Sequence, residues 1–153
     1  MTKILKTTSL IIAIMIAIPG FSQEKDEKKN GYEFTDVIRL DNTPVKNQYR
    51  SITCWSYSGL AFIESELLKA GKGEYDLSEA FIIRVSYKKK AEDYVRWHGS
   101  INFAGGGAFH DVTDAIMETG IVPESVYDGL VIGEDYFVHG EMDEVFGDYM
   151  KGV

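Results

Sequence analysis

The sequence predicts a chain that builds helices first, three of them before any substantial sheet. Apolar side chains recur at three- and four-residue intervals from Tyr57 to Leu68, from Phe81 to Tyr94 and from Val112 to Met117. Each run closes on a glycine, at Gly71, Gly99 and Gly120. Such spacing gathers apolar groups on one helix face, and glycine suits the left-handed residue that ends a helix.

The 153 residues are 44% apolar and 26% charged, enough for one compact core and too few for a second complete domain. The front is set apart. Lys3 and Lys6 precede an apolar run from Leu10 to Ile18, closed by Pro19 and Gly20. That pattern predicts a secretory signal peptide over residues 1–22, because the run falls well short of the ~20 residues needed to span a bilayer. Residues 23–31, QEKDEKKNG, predict a charged leader without structure, and residues 32–153 the folded portion. The expected location is periplasmic or extracellular, with no membrane association once the signal is removed.

Cleavage after Ser22 removes two lysines and none of the 24 acidic residues, so the formal charge moves from −8 to −10. Nucleic acid is excluded as a natural partner on that charge. One cysteine cannot form an internal disulfide, and one cysteine with three scattered histidines shows no metal-ligand spacing, so neither metal nor cofactor is expected. The glycine run at 105–107 lacks the following Lys-Ser or Lys-Thr of a phosphate-cradling loop.

In order along the chain, Phe34, Val37, Ile38 and Leu40 predict a strand or extended arm, turned by Asn42 to Pro44 into Val45-Lys46-Asn47-Gln48. The first helix starts at Cys54. Asp76 or Ser78 caps the second, which places Phe81, Ile82, Val85 and Tyr94 inward. Gly105-Gly106-Gly107 opens the third, and Ile121-Val122-Pro123 follows it extended. Met142, Val145, Phe146, Tyr149 and Met150 predict a last helix with one apolar face that needs a partner. Trp55, Tyr57 and Phe62 read as core aromatics, and Lys88-Lys89-Lys90 as the solvated face of the second helix.

The chemistry concentrates in Gln48, five intervening residues, and Cys54-Trp55-Ser56-Tyr57-Ser58. A thiol at a helix N-terminus sits by unpaired N–H groups and the positive end of the dipole, which favours the thiolate. Attack on an amide carbonyl builds negative charge on oxygen, which the Gln48 carboxamide and the Cys54 backbone N–H are placed to receive. Taken alone, Cys54 reads as a buried small hydrophobe; its neighbours reverse that.

Gln-x5-Cys-Trp-x-aromatic-Ser resembles the papain-like cysteine peptidases. The similarity runs on through Leu77-Ser78-Glu79, Gly106-Gly107 and Gly120-Ile121-Val122-Pro123-Glu124-Ser125, covering residues 36–130. It is nearest the bleomycin hydrolase or aminopeptidase C branch. The resemblance implies an α+β fold, of which this chain holds the mainly helical N-terminal half without the β-barrel half. It implies thiol-dependent hydrolysis of a peptide substrate, with Cys54 as nucleophile and Gln48 stabilising the oxyanion. Gly106, Gly107 and Trp55 are implied to border the substrate. Ser51 stands where papain carries a second, disulfide-forming cysteine.

The family's histidine follows the cysteine by ~130 or more residues, which places it past position 180 and beyond Val153. None of His98, His110 and His139 stands at that place. A truncated chain, inactive alone, is therefore expected, with aggregation or dimerisation through the uncovered face. The alternatives are a split enzyme completed by a second chain, and a non-catalytic module that binds a peptide or partner.

Overall fold

The computed structural model describes residues 31, 32 and 34–153. The expected signal peptide over 1–22 and the leader up to residue 30 lie outside the described residues. Two compact units divide the chain after Val37. The described part of the first carries neither helix nor strand, and the Tyr32 and Phe34 rings tilt toward each other with centroids 6.3 Å apart.

The second unit, Ile38–Val153, contains four helices among the described residues: α1 (Cys54–Lys69), α2 (Glu79–Arg96), α3 (Phe109–Thr119) and α4 (Gly140–Lys151). Their ends follow local chemistry. Gly71 takes a φ of 69° just beyond α1, the left-handed conformation that glycine adopts without a Cβ clash. Ser78 caps α2, its Oγ accepting the Phe81 N–H at 3.0 Å. The Asp111 carboxylate reaches back to the Ala108 N–H at 2.7 Å and satisfies a donor ahead of α3.

The core lies where α1, α2 and α3 meet. Leu60, Ile82 and Val112, one from each helix, are fully buried, with Trp55, Ile83, Tyr87 and Ala115 packed around them. Each such side chain stabilises the fold by roughly 1.5–3 kcal/mol through its removal from water. Gly59 lies inside α1 although glycine weakens a helix by about 1 kcal/mol. A Cβ there would come within 2.7 Å of Val112 Cγ2, so the close approach of α1 and α3 requires it.

The expected α+β class is corrected by the structure. The described residues form no sheet, only two isolated bridges, Arg50 with Val138 and Leu77 with Pro123. The arm predicted from Phe34 to Leu40 does not become a strand, and Phe34, Val37, Ile38 and Leu40 are all exposed. A strand needs a neighbour for its N–H and C=O groups, and no partner strand exists among the described residues. The fold of this unit is mainly helical, with no sheet among the described residues.

Residues 42–46 are tied along α1 and α2 by charge. The buried Glu64 carboxylate accepts from the Thr43 hydroxyl at 2.8 Å and the Leu77 N–H at 2.7 Å. Lys46 Nζ lies 2.7 Å from Asp76 and 2.9 Å from Glu79, and it donates to the Leu77 carbonyl at 3.0 Å. Burial alone would lower the Lys46 pKa, but the hydrogen bonds to Asp76 and Glu79 outweigh it and raise it. This anchor ends two residues before Gln48.

α4 meets α2 through the buried Met150 and a hydrogen bond from the Tyr87 hydroxyl to Asp143. A cavity of about 460 Å³, lined by Ile83, Phe137, Met142, Phe146 and others, remains between these helices. No helix among the described residues is long and apolar enough to cross a membrane.

Candidate active site

The turn from Gln48 to Cys54 brings the two predicted catalytic residues to one helix start. Ser51 N–H donates to the Gln48 carbonyl at 3.2 Å, which tightens the turn. The Gln48 side-chain oxygen accepts the Thr53 N–H at 3.1 Å and thus caps the approach to α1. A carboxamide carries its oxygen and nitrogen on opposite prongs. With the oxygen held on Thr53, the Gln48 nitrogen keeps both donors without a partner among the described residues. The Cys54 N–H is also unpaired there, as a first-turn donor of a helix is.

Cys54 is the first residue of α1 and is exposed, while Ser51 and Thr53 on its approach are buried. Their hydroxyls meet at 2.5 Å, a hydrogen bond at the position for which the resemblance led one to compare a disulfide. Tyr49 and Ile52 both sit in the left-handed region, at φ 48° and 57°. For a β-branched residue such as Ile52 this conformation is strained, and strained backbone concentrates at functional turns.

The glycine segment is brought to the same end of α1, but through Trp55. The Trp55 ring is buried, and its Nε1–H donates to the Gly105 carbonyl at 2.9 Å. A Cβ on Gly107 would lie 2.6 Å from Trp55 Cε2, so only glycine fits against that ring. Gly106 is exposed and faces open space. Gly107 thus packs on the buried ring of Trp55, the residue after Cys54, while Gly106 beside it stays exposed. Phe62, read as a core aromatic, is instead exposed and meets Phe109 edge-on at 5.6 Å.

The structure separates Lys90 from its neighbours in the lysine run. Lys88 and Lys89 pair with Glu92 and Asp93 one turn on, as a solvated face does. Lys90 turns inward and donates to the carbonyls of Ala104, at 3.2 Å, and Gly106. Its Nζ stands 5.4 Å from the Trp55 ring centroid. Burial lowers its pKa, with Asp111 and Asp143 opposing. Nothing in the sequence distinguished it, since the run has one composition.

The three histidines are dispersed. His98 follows the end of α2 and His110 lies exposed in the first turn of α3, 3.8 Å from Asp111. His139 precedes α4, and its N–H donates to the Arg50 carbonyl at 3.2 Å, inside the Gln48–Cys54 turn. Its ring lines the cavity between α2 and α4, and burial lowers its pKa. Among the described residues no histidine hydrogen-bonds the Cys54 thiol, and neither Cys54 nor Gln48 lines that cavity.

No protein-family model matches the chain, and no curated protein matches it.

Proposed function

We propose that Cys54 is the nucleophile of a cysteine-type peptidase: its sulfur bonds the peptide carbonyl carbon, the C–N bond breaks and the amine leaves with the thiol proton, and water then hydrolyses the thioester to the acid and the free thiol. Gln48 and the Cys54 N–H would receive the developing oxyanion. The observation that carries this is the joint geometry at the start of α1. An exposed thiol there lies next to an unpaired backbone N–H, and the carboxamide six positions earlier is anchored by its oxygen with its donors free. Such preorganised donors act where charge develops. The chain resembles the papain-like peptidases in just these residues.

The proton acceptor for Cys54 is then supplied by groups outside the described residues, from a second chain or from self-association. A second reading, a module that holds a peptide without cleaving it, is favoured by one observation. The glycine edge is held by Trp55, the residue after Cys54, and by Lys90, yet no histidine bonds to the thiol among the described residues.

Labelling with an irreversible peptidyl epoxide distinguishes these readings from an exposed thiol with no peptide site around it. Stoichiometric modification of the chain, abolished in Cys54→Ala, supports both. Turnover of a fluorogenic peptide separates the peptidase from the binding module. Absence of labelling in a chain whose thiol still reacts with iodoacetamide would refute the nucleophile.

A further inference from the structure

We infer that Lys90 is a positioning residue, fixing the Ala104–Gly106 edge beside Cys54 so that the edge can take up the backbone of a peptide. This rests on the assignment of Cys54 as the nucleophile.

Three consecutive carbonyls are held from the inner side. Lys90 takes those of Ala104 and Gly106, and the Trp55 indole takes the one between them, on Gly105. Since Trp55 follows Cys54 directly, the loop is pinned to the ring adjoining the nucleophile. Lys90 completes the link by standing over that ring at 5.4 Å and over Tyr87 at 5.9 Å. Gly105 packs beneath, where a Cβ would come within 2.8 Å of the Tyr87 hydroxyl. The outcome is one immobilised face and one free face, with Gly106 exposed and open around its Cα.

The choice of partner argues for a role beyond loop stability. A half-buried ammonium whose direct hydrogen-bond partners are neutral carbonyls forgoes the carboxylate that would best compensate its desolvation. Its counter-charges, Asp111 on α3 and Asp143 on α4, act at longer range. Asp111 is engaged with the Ala108 N–H and Asp143 with the Tyr87 hydroxyl. What the arrangement secures is the register of one loop edge against α1.

The test compares two electrophiles on the whole chain. A peptidyl epoxide needs its backbone held as well as the thiol, whereas iodoacetamide needs the thiol alone. Lys90→Met is expected to slow peptidyl labelling about tenfold or more, as loss of alignment does, while the iodoacetamide rate stays within about twofold of wild type. Lys90→Arg, which can still reach two carbonyls, is expected to recover most of the loss. If Lys90→Met shows no cooperative unfolding transition, Lys90→Gln carries the same comparison. Equal labelling of variant and wild type by the peptidyl reagent would overturn the inference, as would a parallel fall with both reagents. Failure of the wild type itself to take the peptidyl reagent would instead overturn the nucleophile assignment, and this inference with it.

Discussion

The side-chain oxygen of Gln48 accepts the backbone N–H of Thr53 at 3.1 Å, so the carboxamide is locked to the helix start that carries Cys54. Two consequences follow from one contact. Removing it by Gln48→Ala leaves a helix-start donor without its partner, and stability is expected to fall by about 1 kcal/mol in urea unfolding. Where an oxyanion forms, loss of the donor is expected to slow acylation of Cys54 by about 10²-fold. A variant with unchanged acylation would remove Gln48 from the chemistry.

Ile52 holds a φ of 57° two residues before Cys54 and is largely exposed at 63%. A left-handed conformation costs a residue with a Cβ about 1–2 kcal/mol, and glycine gives back about 0.5–1 kcal/mol of that in backbone entropy. Ile52→Gly is therefore expected to raise stability by about 0.5 kcal/mol. Thermal unfolding reads the sign, and a lower midpoint would contradict the strain.

Gly107 and Gly106 should separate packing from surface. Gly107→Ala forces a Cβ to within 2.6 Å of the Trp55 ring, and overpacking of that kind costs about 1–3 kcal/mol. Gly106→Ala meets nothing within 4 Å, so its effect on stability should stay within about 0.5 kcal/mol. Its labelling by a peptidyl electrophile should slow all the same, because the methyl occupies the open face. Equal unfolding midpoints for the two variants would contradict the packing.

The helices were legible because their determinants are local. The Ser78 cap, the left-handed Gly71 and the apolar spacing around Leu60 and Ile82 act within a few residues. The α+β class failed because it came from resemblance rather than from the chain's own pattern, and Phe34 to Leu40 find no strand partner among the described residues. The Gln48–Cys54 turn was legible as a motif. Lys90 was not, since which lysine of three turns inward depends on carbonyls fourteen and sixteen residues away. Glu64, buried against Thr43 and Leu77, escaped for the same reason.

Glu124 gives a pH signature. Burial, with Glu79 adding to it and Lys46 opposing, pushes its carboxyl from the ordinary 4.5 up to about 7. Between those values the folded protein keeps a proton that the unfolded chain has released. The contribution of this group to stability is thus complete below 4.5 and is lost as pH rises to about 7. His139, lowered by burial, acts in the opposite sense just below 6.5, so the difference between wild type and Glu124→Gln isolates the carboxyl. Urea midpoints from pH 4 to 8 should show a fall in wild type relative to the variant. A constant difference would contradict the assignment.

The central claim, that Cys54 acts as an acyl acceptor, is tested most directly by intact-mass measurement after incubation with an activated peptide ester. The thiol displaces the alcohol or phenol, which leaves with the proton, and the peptidyl group remains as a thioester. The account predicts one added acyl group on Cys54, none on Cys54→Ala, and slower formation in Gln48→Ala. A chain that iodoacetamide alkylates fully at Cys54 but that takes no acyl group from the ester would contradict it.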